Sequence, residues 1–97
     1  MTTGRLHFSL VSPEREVFSG DVDQVDAMGT EGGFGVLVGH APFMTTLKEG
    51  FVFVHDGAIK RAFLVKGGFA DVTPWGFTIL AEYAEEHDER VHPERAH

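Results

Sequence analysis

The chain has 97 residues, nine of them phenylalanine and none cysteine, with a formal net charge of −7; it is sized for one domain with a real core, without disulfides, thiolate metal sites or cysteine nucleophiles. The acidity is uneven: from Glu82 onward six acids face two bases, a balance of −4, which leaves −3 for the preceding 81 residues. A body so nearly balanced offers neither the basic face that nucleic acid requires nor the polybasic patch that an anionic membrane attracts.

The N-terminus, "MTTGRLHFSL", lacks an apolar stretch of signal-peptide length, and no run approaches the ~18 apolar residues that span a bilayer, so the chain reads as a soluble domain. "RLHFSLV" alternates, with Leu6, Phe8 and Leu10 on one face and His7 and Ser9 on the other, the period of a half-buried strand. "SPER" turns the chain, with Pro13 setting φ at the second turn position. Val17-Phe18 starts a short second strand that Ser19-Gly20-Asp21 should break. "VDQVDAM" is a weak third strand, "FGVLV" a fourth closed by Gly39, and "FMTTL" a fifth closed by Lys48-Glu49-Gly50.

"FVFVHDGAIKRAFLV" carries two β-rich runs joined at Asp56-Gly57, a pair suited to a type I′ turn. Gly67-Gly68 should interrupt the chain before "FADV" resumes, and "TPWG" makes a tight turn with Pro74 second. "FTILAEY" is the last strand, with Phe77, Ile79 and Ala81 on one side. Turn signals every 8 to 12 residues, with no amphipathic helix before residue 82, predict an all-β sandwich or barrel. The expected division is a β-sandwich domain over 1–84 and an acidic polar tail over 85–97. The tail lacks an apolar stripe and Pro93 stops any helix near His92, so its composition suits a short helix stub or a disordered end.

"GTEGGFGVLVGHAP", residues 29–42, packs five glycines around Glu31 and before His40. A phosphate loop would open onto a helix, with Lys-Ser/Thr or a third spaced glycine. Here Val38 stands where that glycine belongs, and "VLV" reads as a strand. The glycines therefore serve turns and a bulge, and phosphate binding is rejected. No His-x-His or His-x-x-x-His spacing precedes the tail, and Ser9, Ser12 and Ser19 sit in ordinary strand or turn contexts, so no metal site, cofactor or catalytic residue is assigned. Two readings of a different class compete: a free-standing β-sandwich with "GGFGVLVGHAP" rimming a closed small-ligand pocket, and a small hydrolase using His40 with Asp26 or Glu31. Glu31 and Phe34 should be exposed on a projecting glycine loop, although a buried Phe34 is as ordinary for a sandwich.

"LVSPEREVFSGDVDQVDAMGTEGGFGVLVGHAPFMTTLKEG", with "GGFADV" and "TILAE", resembles the epsilon subunit family of F-type ATP synthases over nearly all of residues 6–84. The resemblance implies a flattened ten-stranded β-sandwich in the central stalk, a non-catalytic rotor subunit of a proton-translocating enzyme. The partners it implies are the gamma subunit and the c ring. Glu31, Gly32, Gly33 and Phe34 would face the c ring, and His40, Ala41 and Pro42 would lie near the contact with gamma or the ring. The implied location is the cytoplasmic face of a bacterial inner membrane, reached through the complex alone. Many members carry an acid where Gly33 stands and proline where Val38 stands. Typical members also continue into two helices that restrain ATP hydrolysis, some binding ATP there. This chain stops at His97, so that arm and its ATP site are expected to be absent, and the short ending reads as natural.

Overall fold

The computed structural model describes residues 5–87, and among them there are eight strands and no helix. They are β1 (Leu6–Val11), β2 (Glu16–Val22), β3 (Gln24–Gly29), β4 (Gly32–Val36), β5 (Phe43–Leu47), β6 (Gly50–Asp56), β7 (Ile59–Val72) and β8 (Gly76–His87). Hydrogen bonding joins them in the order β2-β1-β8-β7-β5-β3-β4, with β6 paired to β3 and β7. The β1–β8 pair is parallel and the others are antiparallel.

Ring contacts show how this sheet is shaped. Phe34 on β4, at one end of the order, lies 6.1 Å from Phe77 on β8. Phe18 on β2, at the other end, meets Phe63 on β7 edge-on at 5.7 Å. Strands so distant in the order can touch only if the sheet folds back on itself, which makes a flattened β-sandwich with the core between its layers. The alternation read from the sequence fixes which residues enter. Leu6, Phe8, Leu10, Phe77, Ile79 and Ala81 all point inward and are buried. Full burial of residues such as Phe8, Phe63 and Ile79 stabilises by roughly 1.5–3 kcal/mol each.

Four expectations need correction. Ser19-Gly20-Asp21 does not end β2, because β1 supplies ladder partners throughout, with Ser9 opposite Ser19 and Phe8 opposite Gly20; pairing overrides local turn preference. Gly67-Gly68 bends β7 without ending it. The two glycines take φ of 72° and 127°, yet Gly68 still pairs with Ala81. β7 and β8 therefore run 14 and 12 residues and each serves both layers, which turns the expected ten strands into eight. The hairpin turn is Gly57-Ala58, closed by Asp56 opposite Ile59, with positive φ at Gly57 alone. Glycine first and an ordinary second residue mark a type II′ turn, not the type I′ expected. Finally, β8 continues to His87 because Glu85, Glu86 and His87 pair with Leu64, Phe63 and Ala62. The first three residues assigned to the polar tail are thus strand, and residues 88–97 lie outside the described part.

Candidate functional site

Residues 29–34 form the tip of the β3–β4 hairpin. Gly29 opposes Gly32 across the two-residue turn Thr30-Glu31, and Gly32 absorbs the unusual torsion at φ 129°. The tip is tethered more firmly than a free glycine loop would be. Thr30 N donates to the Thr46 carbonyl at 3.1 Å, and the Thr30 and Thr46 hydroxyls lie 2.9 Å apart. Glu31 stays exposed at the apex and makes no ion pair among the described residues. Phe34, which the sequence left balanced between exposed and buried, takes the inward side. It is half-buried, edge-on to Phe43 at 5.4 Å and packed against the core, because position 34 falls on the inward side of β4 opposite Ala27.

Residues 37–42 leave β4 at its other end. Gly39, at φ 87°, turns the chain and its N–H meets the Pro74 carbonyl, which ties this loop to the β7–β8 turn. His40 is half-buried, its Nδ1 lies 2.8 Å from the Ala41 carbonyl, and its ring stands 6.1 Å from that of Phe43. Ala41 and Pro42 are exposed just ahead of β5. The two segments singled out in the sequence thus follow one another along β4, with Glu31 just before its first residue and His40 four residues beyond its last. A shallow groove between β4 and β5, lined by Glu31, Gly32, Phe34, Phe43 and Met44 among others, runs from the tip toward the loop.

An exposed apolar cluster was not singled out in the sequence. On the outer face of β5, β7 and β8, Thr46 pairs with Phe69 and Phe69 with Leu80. Met44 stands two residues from Thr46 on that face. Met44, Phe69 and Leu80 are 67%, 52% and 55% exposed, so three large apolar side chains share an open face. The signal was present: with Ile79 and Ala81 inside, Leu80 must face out. Leu37 and Trp75 add further exposed apolar surface near the loop end, Trp75 at 73%.

The polar residues do not assemble the hydrolytic arrangement considered above. Asp26 faces Gln24 and His55, with Gln24 Nε2 donating at 2.7 Å and His55 Nε2 at 2.9 Å, while His40 turns to its own loop. His7 does lie between Asp21, at 2.9 Å, and Ser19, at 3.5 Å. These three lie on the β1–β2 ladder with His7 and Asp21 more than half exposed, so solvent reaches them freely. The groove over β3 and β4 is likewise open to solvent, unlike the closed pocket a small-ligand module requires.

Residues 5–87 match the ATP synthase delta/epsilon chain beta-sandwich domain family. The ATP synthase epsilon chain of Caulobacter vibrioides is 67% identical over 82 residues, which cover 84% of this chain and 95% of that one. That of Hyphomonas neptunium is 69% identical over 81 residues, 82% of this chain but 60% of the relative. Against that longer relative the chain therefore spans well under two thirds of the length. Among solved structures, a chain of the Euglena gracilis mitochondrial ATP synthase superposes with a TM-score of 0.82 at 22% identity, covering 98% of this chain and 63% of that one. A chain of the Tetrahymena thermophila mitochondrial ATP synthase central stalk and c ring gives 0.72 at 14%, covering 88% and 69%. At such identities these two establish the fold.

Proposed function

The chain belongs to the ATP synthase delta/epsilon chain family, and on that premise we propose that it is a non-catalytic rotor subunit of a proton-translocating F-type ATP synthase. It joins the gamma subunit to the c ring in the central stalk and helps carry proton-driven rotation to the catalytic head. The observation that carries this reading is the Met44–Phe69–Leu80 face. Exposed apolar side chains sharing one sheet face mark a partner surface, and we assign this one to gamma. The c ring meets the hairpin tip at Glu31, Gly32, Gly33 and the rim of Phe34, while His40, Ala41 and Pro42 lie near the gamma contact. β4, which carries Gly32, Gly33 and Phe34 and leads to His40, sets their spacing.

Torque transmission needs contacts that do not slip under load, and a hydrogen-bonded sandwich with a continuous core suits that without moving parts. The chain meets the membrane through the complex alone, at the cytoplasmic face of a bacterial inner membrane. Titration calorimetry with purified gamma subunit tests the assignment. Binding with a negative heat-capacity change is expected, the mark of apolar burial, and Phe69→Glu should weaken it at least tenfold. Binding unaffected by Phe69→Glu would remove this face from the interface.

A further inference from the structure

We propose that the free edge of β4 is a docking site for an extended, basic segment of another chain, held by strand addition. This concerns the strand edge, which shares Gly33 with the hairpin-tip contact assigned to the c ring and otherwise lies outside the stalk assignment. Among the described strands, β4 pairs with β3 alone. The direction of its outer backbone groups follows from β3. Lys48 N donates to the Met28 carbonyl from the side opposite β4. Met28 and Gly33 are therefore a non-hydrogen-bonded pair, and by alternation so are Asp26 and Gly35. Gly33 and Gly35 consequently turn their N–H and C=O groups to the open edge.

Edges are usually guarded by charge or proline. The other terminal strand, β2, carries Glu16 and Asp21, whereas β4 reads Gly-Gly-Phe-Gly-Val with neither charge nor proline. The missing side chains also have a consequence. A Cβ built at Gly35 would lie 2.7 Å from Asp26 Oδ1, and one at Gly33 would lie 3.2 Å from Met28 Sδ. Both β3 side chains therefore lie over the space that side chains at the β4 glycines would fill. Together with Phe51 and Phe53 they line an open groove of about 560 Å³ whose floor includes the two glycines. A strand added to β4 would pair with the Gly33 and Gly35 backbone and lay alternate side chains over this floor.

Charge selects the occupant. Asp26 is the one acid among the groove's lining residues, each of its oxygens takes a single donor from Gln24 or His55, and its Oδ1 lies beside Gly35, while Lys60 stands over Phe53 on the β6 side. An arginine or lysine on the incoming strand can reach it across the glycines. A second copy of this chain would present its own Asp26 to this one, which opposes self-pairing.

The test is amide NMR on the full 97-residue chain with three capped probes: Thr-Val-Arg-Val-Arg-Val-Thr, its glutamate counterpart and its glutamine counterpart. The arginine probe should shift the Gly33 and Gly35 amides and slow their hydrogen exchange. Asp26→Asn should weaken it about tenfold, the value of one charge-assisted hydrogen bond. Gly33→Pro removes an outward N–H without touching the β3 ladder and should abolish amide protection. Equal binding of all three probes would overturn the charge selection, and no protection with any probe would overturn the site. Protection that rises with protein concentration and without peptide would replace the partner by a second copy.

Discussion

Gly68→Ala should be the most damaging single-methyl change in this domain. Gly68 sits at φ 127°, and an added Cβ would lie 2.2 Å from the Leu80 carbonyl oxygen and 2.8 Å from Ala81 Cα. Those are backbone atoms of the paired strand, so no side chain can rotate away. Relief requires β7 and β8 to separate at the Gly68–Ala81 rung, losing about 1 kcal/mol per hydrogen bond. The torsion adds about 1–3 kcal/mol for a non-glycine residue. The total of roughly 3–5 kcal/mol is a large share of the about 5–15 kcal/mol that holds a domain together. Gly57→Ala is the matched control: φ is 64° with nothing within 4 Å of the new methyl, so the torsion alone should cost about 1–2 kcal/mol. Urea denaturation of both variants measures the difference, with Gly68→Ala expected to lose at least ~2 kcal/mol more. Equal losses would refute the claim that the close approach of β8 demands glycine there.

Tyr83 is the chain's single tyrosine, and its hydroxyl donates to Glu85 Oε1, which raises its pKa above the usual 10.0. The neutral phenol is the favoured form, so any stabilisation is complete below the unfolded value and is lost as pH rises through the folded one. Phenolate absorbance should therefore show a midpoint above 10.0 that falls in Glu85→Gln. Arg61 binds Glu86 through two 2.8 Å contacts and lies 4.8 Å over the Phe18 ring. Arg61→Ala should thus destabilise more than Glu86→Ala in urea melts, because it also removes stem packing and a cation–π contact. Phe34→Ala should cost roughly 2 kcal/mol of folding stability, since the ring packs against the core, whereas Glu31→Ala should change stability by less than ~0.5 kcal/mol.

The alternating runs made β1, β5 and the inner face of β8 legible in the sequence, with Leu6, Phe8 and Leu10 inside as read. What escaped the sequence was decided by partners distant along the chain. Ser19-Gly20-Asp21 has the chemistry of a break and becomes strand because β1 lies beside it. Gly67-Gly68 has the chemistry of a turn and becomes a bend because β8 pairs on both sides of it. The hairpin tip around Glu31 was legible from its glycines. The exposed Met44–Phe69–Leu80 face was not, because its members come from three separate strands and only register brings them together. Phe34 was balanced between inside and outside until pairing with Ala27 set its side.

Reconstitution tests the stalk assignment most directly. The 97-residue chain would be added to ATP synthase membranes stripped of their epsilon subunit, and binding and ATP-driven proton pumping followed. The chain should bind and restore pumping, and Phe69→Glu should lose both while keeping its urea midpoint. A chain that stays in solution, or a Phe69→Glu variant that couples as well as the parent, would contradict it.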